Sequence, residues 1–337
     1  MTRPEYSPHT ITAIADGIRF AERPFPDANL IALPGQAPAI IDSGFAAHAG
    51  ATADLAHRAL ETAPQHVVNT HWHSDHVGGN AVLQAAGAQI VGSAGDAADL
   101  ARPSPGCCSA EYLDQPVPAY TVDAAARDGD SLLLGDASWT VLEVPGHTPG
   151  HLALWQEDAS VLVVGDTLSA HDVGWVDVMR EGAAGLDDAI ASVDRLTACD
   201  PRIILPGHGP ALVAGDESAP DPASALAAAR SRLQRQREDL PLAVQYGARR
   251  ILAFALLIRD GIRADAIEDY VVSQQWTRAA AEAVGTRPEE FASQLVSGMV
   301  ESGAVRLSAG LVTAKAPSSG GDPAVFELPW PRQWRHG

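Results

Sequence analysis

His71, Trp72, His73, Ser74, Asp75 and His76 place three imidazoles and a carboxylate within six consecutive positions. That density of hard and borderline donors is enough to hold two metal ions side by side, and it demands a fold that presents the segment on a loop. The flanks meet that demand. Gln65 to Thr70 reads as a strand edge, and Val77-Gly78-Gly79-Asn80 opens a helix from Asn80 to Ala88. The donors therefore belong on a strand-to-helix loop carried by a rigid frame.

Three further strand ends each offer ligand-type side chains. Val141-Leu142-Glu143-Val144 runs into Pro145-Gly146-His147-Thr148-Pro149-Gly150-His151. Ser160 to Val164 is followed by Gly165-Asp166-Thr167, and Arg202 to Leu205 by Pro206-Gly207-His208-Gly209-Pro210. Glycine and proline in such turns set unusual backbone angles and allow close approach to a site.

From about Asn29 to Pro210, this order of motifs resembles the metallo-β-lactamase-fold hydrolase superfamily. The resemblance implies an α/β fold, an αββα sandwich, and a dinuclear centre. In the family pattern His71, His73 and His147 hold the first metal, Asp75, His76 and His208 hold the second, and Asp166 bridges them. Zinc suits these donors, with iron or manganese as alternatives. Two divalent ions about 3.5–4 Å apart lower the pKa of a bridging water, and the resulting hydroxide attacks a carbonyl. Asp75 is then the catalytic residue that orients the nucleophile and passes a proton to the leaving group. Asp42, in Ile41-Asp42-Ser43-Gly44, matches a motif whose aspartate is structural. His151 reads as a support behind the ligands, and His66 is not singled out. Ser169, His171 and Trp175, close after Asp166, are candidate substrate contacts; for the His171 loop, a solvated surface is the other reading.

With 337 residues and 46% hydrophobic content, the chain can bury a sizeable core. The charge is unevenly spread. Residues 1–223 hold 9 basic and 30 acidic side chains, whereas residues 224–315 hold 12 and 10. An acidic catalytic surface repels polyphosphates, so nucleic acid is not an expected partner. Cys107, Cys108 and Cys199 form neither a disulfide framework nor a Cys-rich zinc site. Met1 to Asp16 lacks the apolar run of a signal peptide, and the longest apolar stretch, Ile251 to Ile258, falls short of a membrane span. A cytoplasmic protein with no membrane partner is expected.

Three domains are expected: a catalytic domain over 1–215, a helical winged-helix-like domain over 223–315, and a tail over 316–337. In the first, Ile11–Phe20, Asn29–Leu33 and Ala39–Asp42 read as paired strands, and Ala47–Glu61 as a helix with His48 and His57 on its solvent face. Residues 92–123, broken by Pro103, Pro105, Gly106, Pro116 and Pro118, are either a lid or a solvated connector. Asp128-Gly129-Asp130 turns into a hairpin of Ser131–Leu134 with Trp139–Val144.

After an acidic linker, Asp216 to Pro222, helices are expected over Ala223–Glu238, Gln245–Arg259, Ala264–Ser273, Thr277–Val284 and Pro288–Ser302. A hairpin closes the module at Val305–Thr313. The last helix carries Glu289, Glu290 and Glu301 and no Arg or Lys, which favours a packing or homodimerising role that helps wall the active site over DNA binding. The tail, with Trp330 and Trp334, is expected to lie across the surface or a neighbour.

Among hydrolases, Asp166 in the bridging place and the absent signal argue against a β-lactamase. Ser169 stands where quorum-signal lactonases carry Tyr, and the C-terminal segments lack the glyoxalase-II pattern. What remains is hydrolysis of a neutral or weakly charged small-molecule acyl compound: a thioester, ester or lactone. Alternatives are a di-iron oxidoreductase such as a persulfide dioxygenase, a β-lactamase-type amidohydrolase, and a metal-dependent regulator acting through the winged helix.

Overall fold

The computed structural model describes residues 9–101, 106–316 and 323–327. Pro103 and Pro105, most of the tail with Trp330 and Trp334, and the first eight residues lie outside them. Two sheets stack face to face. The first runs in sequence order through β1 (Thr12–Ala15), β2 (Ile18–Ala21), β3 (Leu30–Leu33), β4 (Ala39–Ile41), β5 (His66–Val68), β6 (Gln89–Ser93) and β7 (Ala124–Ala126). The second comprises β8 (Ser131–Leu134), β9 (Ala137–Glu143), β10 (Leu152–Gln156), β11 (Val161–Gly165), β12 (Ile203–Pro206) and β13 (Leu212–Val213), in the order β13-β12-β11-β10-β9-β8.

Strand alternation assigns every inner side chain to a layer. In β3, Ile31 and Leu33 enter the core between the sheets, while Leu30 and Ala32 face outward to helices. In β11, Val161 and Val163 join the inter-sheet core, and Leu162 and Val164 join the opposite outer core. The outer layer on the first sheet includes α1 (Ala49–Leu60), α2 (Ser74–Val77), α3 (Asn80–Ala85) and α4 (Ala94–Ala101). After α5 (Ala110–Leu113), the layer on the second sheet is built from α6 (Val178–Ala198), α7 (Pro222–Glu238), α8 (Leu240–Ile258), α9 (Ile267–Ser273), α10 (Gln275–Val284) and α11 (Pro288–Glu301). A small sheet, β14 (Ile262–Arg263), β16 (Leu311–Ala314) and β15 (Val305–Ser308), closes the C-terminal region. One apolar core joins sheet two, α6 and the C-terminal helices, from Leu142 and Leu162 through Leu186 and Ile251 to Trp276 and Met299.

Several expectations need correcting. The stretch Ile11–Phe20 is two strands, because Gly17 turns the chain at φ +67°. His48 is buried rather than solvent-facing, drawn in by a 2.7 Å contact with Asp27; His57 is exposed. Residues 92–123 are no solvated connector: Cys107, Cys108, Leu113, Val117 and Tyr120 are buried. The second C-terminal helix starts at Leu240, earlier than expected, because Asp239 caps it by accepting from Leu242 N, and Pro241 is tolerated in the first turn. That extension makes α8 long and apolar enough to cross a membrane by length and composition, yet half of it is buried in the core.

Candidate metal centre

Every ligand-type side chain leaves the frame at one edge of the sandwich. The loop after β5 carries His71 and His73, and α2 carries Asp75 and His76. His147 follows β9, Asp166 follows β11, and His208 follows β12. Because β11 and β12 run parallel, Asp166 and His208 emerge side by side although α6 separates them in sequence. Small residues permit the crowding. A Cβ at Gly207 would meet Asp166 Oδ1 at 2.3 Å, and one at Gly174 would meet His147 Nδ1 at 2.8 Å.

The seven residues named from the resemblance converge. His71 Nε2 lies 3.1 Å from His73 Nδ1, which lies 2.9 Å from His147 Nε2. Asp75, His76 and His208 form a second group, with His208 Nε2 3.2 Å from Asp75 Oδ2. Asp166 stands between the groups, 3.3 Å from His76 Nε2, 3.6 Å from His208 Nε2 and 3.8 Å from His147 Nε2. His76 Nε2, His208 Nε2 and Asp166 Oδ1 are buried and make no hydrogen bond among the described residues. Buried polar atoms are normally paired, so converging lone pairs on neutral imidazoles and carboxylates fit divalent cations.

The electrostatics agree with that fit. Burial, reinforced by neighbouring imidazoles, holds His71 and His73 well below the usual histidine range, in the neutral form that ligates metals. Burial opposes charge on His76 too, but Asp166, Asp42 and Asp75 outweigh it and raise its pKa well above the usual value. Burial would raise the Asp166 carboxyl; His208, His76 and His147 instead hold it well below the carboxylate range. Around Asp166 the carboxylates thus favour added positive charge, whereas burial disfavours it at His71 and His73.

A second ring of partners aims the ligands. His76 Nδ1 pairs with Asp42 Oδ2 at 2.8 Å, and Thr70 donates to the same carboxylate through N and Oγ1, both at 2.8 Å. These contacts hold Asp42 in a left-handed conformation at φ +59°, strain of the kind that surrounding structure must over-determine. His71 Nδ1 meets Thr70 Oγ1 at 3.1 Å, and His147 Nδ1 donates to the Trp175 carbonyl at 2.7 Å. His151 is buried, stacks on His71, and accepts from Asp166 N at 3.1 Å.

A cavity of about 470 Å³ opens over the cluster. Ser169 and Trp175 line it, and the Trp175 ring lies parallel to that of His73 with centroids 5.8 Å apart. His171 does not line the cavity. Ser169 N bonds to Asp172 O, so His171 sits exposed in a tight turn, and its carbonyl accepts from Arg232. Sequence reasoning missed several wall residues: Phe25, Gln115, Arg250, Phe254 and Lys315. Gln115 accepts from Ser74 Oγ at 2.6 Å, tying the 92–123 stretch to the metal loop. The pocket-side loop is gripped from the C-terminal helices. Asp172 pairs with Arg232 and Arg250 and accepts from Tyr246 Oη at 2.7 Å.

Comparison with known proteins points the same way. A profile described as metallo-beta-lactamase superfamily matches residues 24–208. A hydroxyacylglutathione hydrolase of Methylococcus capsulatus is 42% identical over 134 residues, which is 40% of this chain and 43% of that protein. One from Rhodospirillum rubrum is 37% identical over 145 residues, covering 42% and 47%. The chain therefore spans less than half the length of these curated relatives. Among solved structures, a metallo-beta-lactamase family protein from Thermus thermophilus superposes with a TM-score of 0.53 at 21% identity, covering 90% of this chain and all of that one. A subclass B3 metallo-beta-lactamase of Bradyrhizobium japonicum gives 0.54 at 23% identity, covering 71% and 96%. At those identities the likeness concerns the fold.

Proposed function

Starting from the fact that this chain belongs to the metallo-β-lactamase superfamily, we propose that it is a dinuclear metal-dependent hydrolase of a small-molecule acyl compound, and that the compound is a thioester. The observation that carries this reading is the pair of ligand groups sharing Asp166 at the floor of one cavity. Of the three acyl classes left open by sequence, the thioester is supported by the relatives named hydroxyacylglutathione hydrolase. Thioester was already among the classes left open, although the C-terminal segments lack the glyoxalase-II pattern.

His71, His73 and His147 would hold one ion, and Asp75, His76 and His208 the other, with Asp166 shared. When bound, the ions supply Lewis-acid polarisation of the acyl carbonyl and a lowered pKa for water. The chain's own residues do the rest. Asp75, beside His208 and facing the cavity, orients the attacking water and passes its proton to the leaving group. Phe25, Leu113, Trp175, Phe254 and Leu257 give the acyl group an apolar wall and exclude bulk water. Arg250 and Lys315 place positive charge in the same wall, suited to a carrier group that leaves as an anion.

Elemental analysis of the purified protein, run beside a panel of thioesters, esters, lactones and β-lactams, tests the reading. The expected result is close to two ions per chain, mostly zinc, with thioesters turned over fastest and activity lost to a strong chelator. An active protein without transition metal sinks it. Preferential β-lactam turnover replaces the substrate class.

A further inference from the structure

The four ligand imidazoles outside the His73 position are not held alike. His71, His76 and His147 each have the ring nitrogen facing away from the cluster tied to Thr70, Asp42 or the Trp175 carbonyl. His208 Nδ1 is buried and makes no hydrogen bond among the described residues. The backbone around it is fixed, since Asn29 donates through its side chain to Pro206 O at 3.0 Å and Gly209 O at 2.8 Å, and through N to Gly207 O. None of these bonds sets the angle of the imidazole plane.

Phe25 does. Its ring stacks on His208 with centroids 4.1 Å apart and planes 16° from parallel. Phe25 remains 39% exposed, so burial alone does not fix it. The chain does hold it. The loop is footed on a buried ion pair, Arg23 with Asp27 at 2.8 Å, both side chains fully shielded. Arg23 donates to Thr52 Oγ1, and Asp27 accepts from Phe45 N and meets His48 Nδ1. Asn29 Oδ1 accepts from Arg23 N, so the footing of Phe25 and the clamp on the His208 backbone are one network.

We infer that Phe25 is the positioning residue of His208, supplying by stacking the orientation that hydrogen bonds give to His71, His76 and His147. The inference rests on the two-ion reading above. Phe25 acts on the second ion only, because in the first group His71 and His147 are tied to Thr70 and the Trp175 carbonyl and His73 stacks on Trp175. Phe25 also lines the cavity, so a bound acyl group presses on the same ring that aims the ligand.

The test is zinc titration of chelator-stripped protein against a chromophoric competitor, for wild type, Phe25→Ala and Phe25→Tyr. Cobalt-loaded samples report each position by its visible spectrum. Phe25→Ala should weaken the second ion by about 10-fold or more while leaving the first unchanged, and Phe25→Tyr, which keeps the stack, should restore wild-type affinity. If Phe25→Ala binds both ions like wild type, or weakens both equally, the positioning role is overturned and the two-ion reading stands. If wild type itself takes up one ion, both fall together.

Discussion

The strand ends that carry the candidate ligands and the C-terminal helices contribute to one cavity by opposite means. From β5 to β12, each contribution is a short motif: a strand, a turn of small residues, and a ligand. From α7 to β16, no metal ligand is supplied, yet Arg250, Ile251, Phe254 and Leu257 build a wall, and Arg232, Tyr246 and Arg250 grip the loop that carries Trp175. Chemistry at this site is thus local in sequence, whereas shape is assembled from helix faces that look like ordinary core. Five changes would break or sharpen that contrast.

The largest effect should come from truncation after Pro220. The core shared by sheet two, α6 and the later helices would open along Leu186, Val193 and Leu196. Each fully exposed Leu or Val costs about 1.5–3 kcal/mol, so the fragment should lose cooperative folding, as followed by circular dichroism and gel filtration. A soluble fragment with a sharp melt would make the two regions independent.

Next come changes at the ligands. Asp75→Asn should lower turnover by about 10³-fold, within the usual range for losing a positioned acid–base group, with the fold retained. Asp166→Ala should chiefly lower the metal content found by elemental analysis. Wild-type turnover in both would undo the assignment of roles.

Asp172→Asn probes the grip from the helices. Losing charge opposite Arg232 and Arg250 loosens the turn before Trp175, whose carbonyl orients His147. A drop of about 10-fold in metal affinity at the first site is expected, as for other residues that support a ligand, with a raised KM. If metal affinity and KM stay at wild-type values, the C-terminal helices wall the cavity without holding it.

The last change concerns buried charge. The acidic region buries Asp96, and burial pushes its carboxyl up to about 8 from an ordinary 3.8; Asp172, by contrast, is paired with arginines. Between those two pH values the folded chain holds a proton that the unfolded chain releases, so stability falls as pH rises through the window. Asp96→Asn should therefore raise the melting temperature more at pH 8.5 than at pH 5. An equal shift at both pH values would show that Asp96 is already compensated.

Much of this was legible in advance for a physical reason. Metal ligands must carry particular atoms, and glycine and proline mark the turns that present them, so candidate donors and most strands could be read from residue type, and the family resemblance singled out the seven. Phe25, His48 and the pocket face of α8 could not. Their roles depend on partners far away in sequence: His208 for Phe25, Asp27 for His48, and the cavity itself for Arg250 and Phe254. A lone aromatic between two prolines, held in a charged loop, was the available signal for Phe25. The start of α8 was hidden by Pro241, which suits a first turn as well as it suits a break.

The candidate ligands come from both sheets. His71, His73, Asp75 and His76 hang from the first, and His147, Asp166 and His208 from the second. An ion bound among them is therefore a cross-link across the sandwich, closed only after His208 has been synthesised, and its binding energy becomes folding energy. Metal starvation should then register mechanically as well as in lost rate. Amide hydrogen exchange would quicken at the ends of β5, β11 and β12, where the two sheets begin to part, while the far edge stays protected.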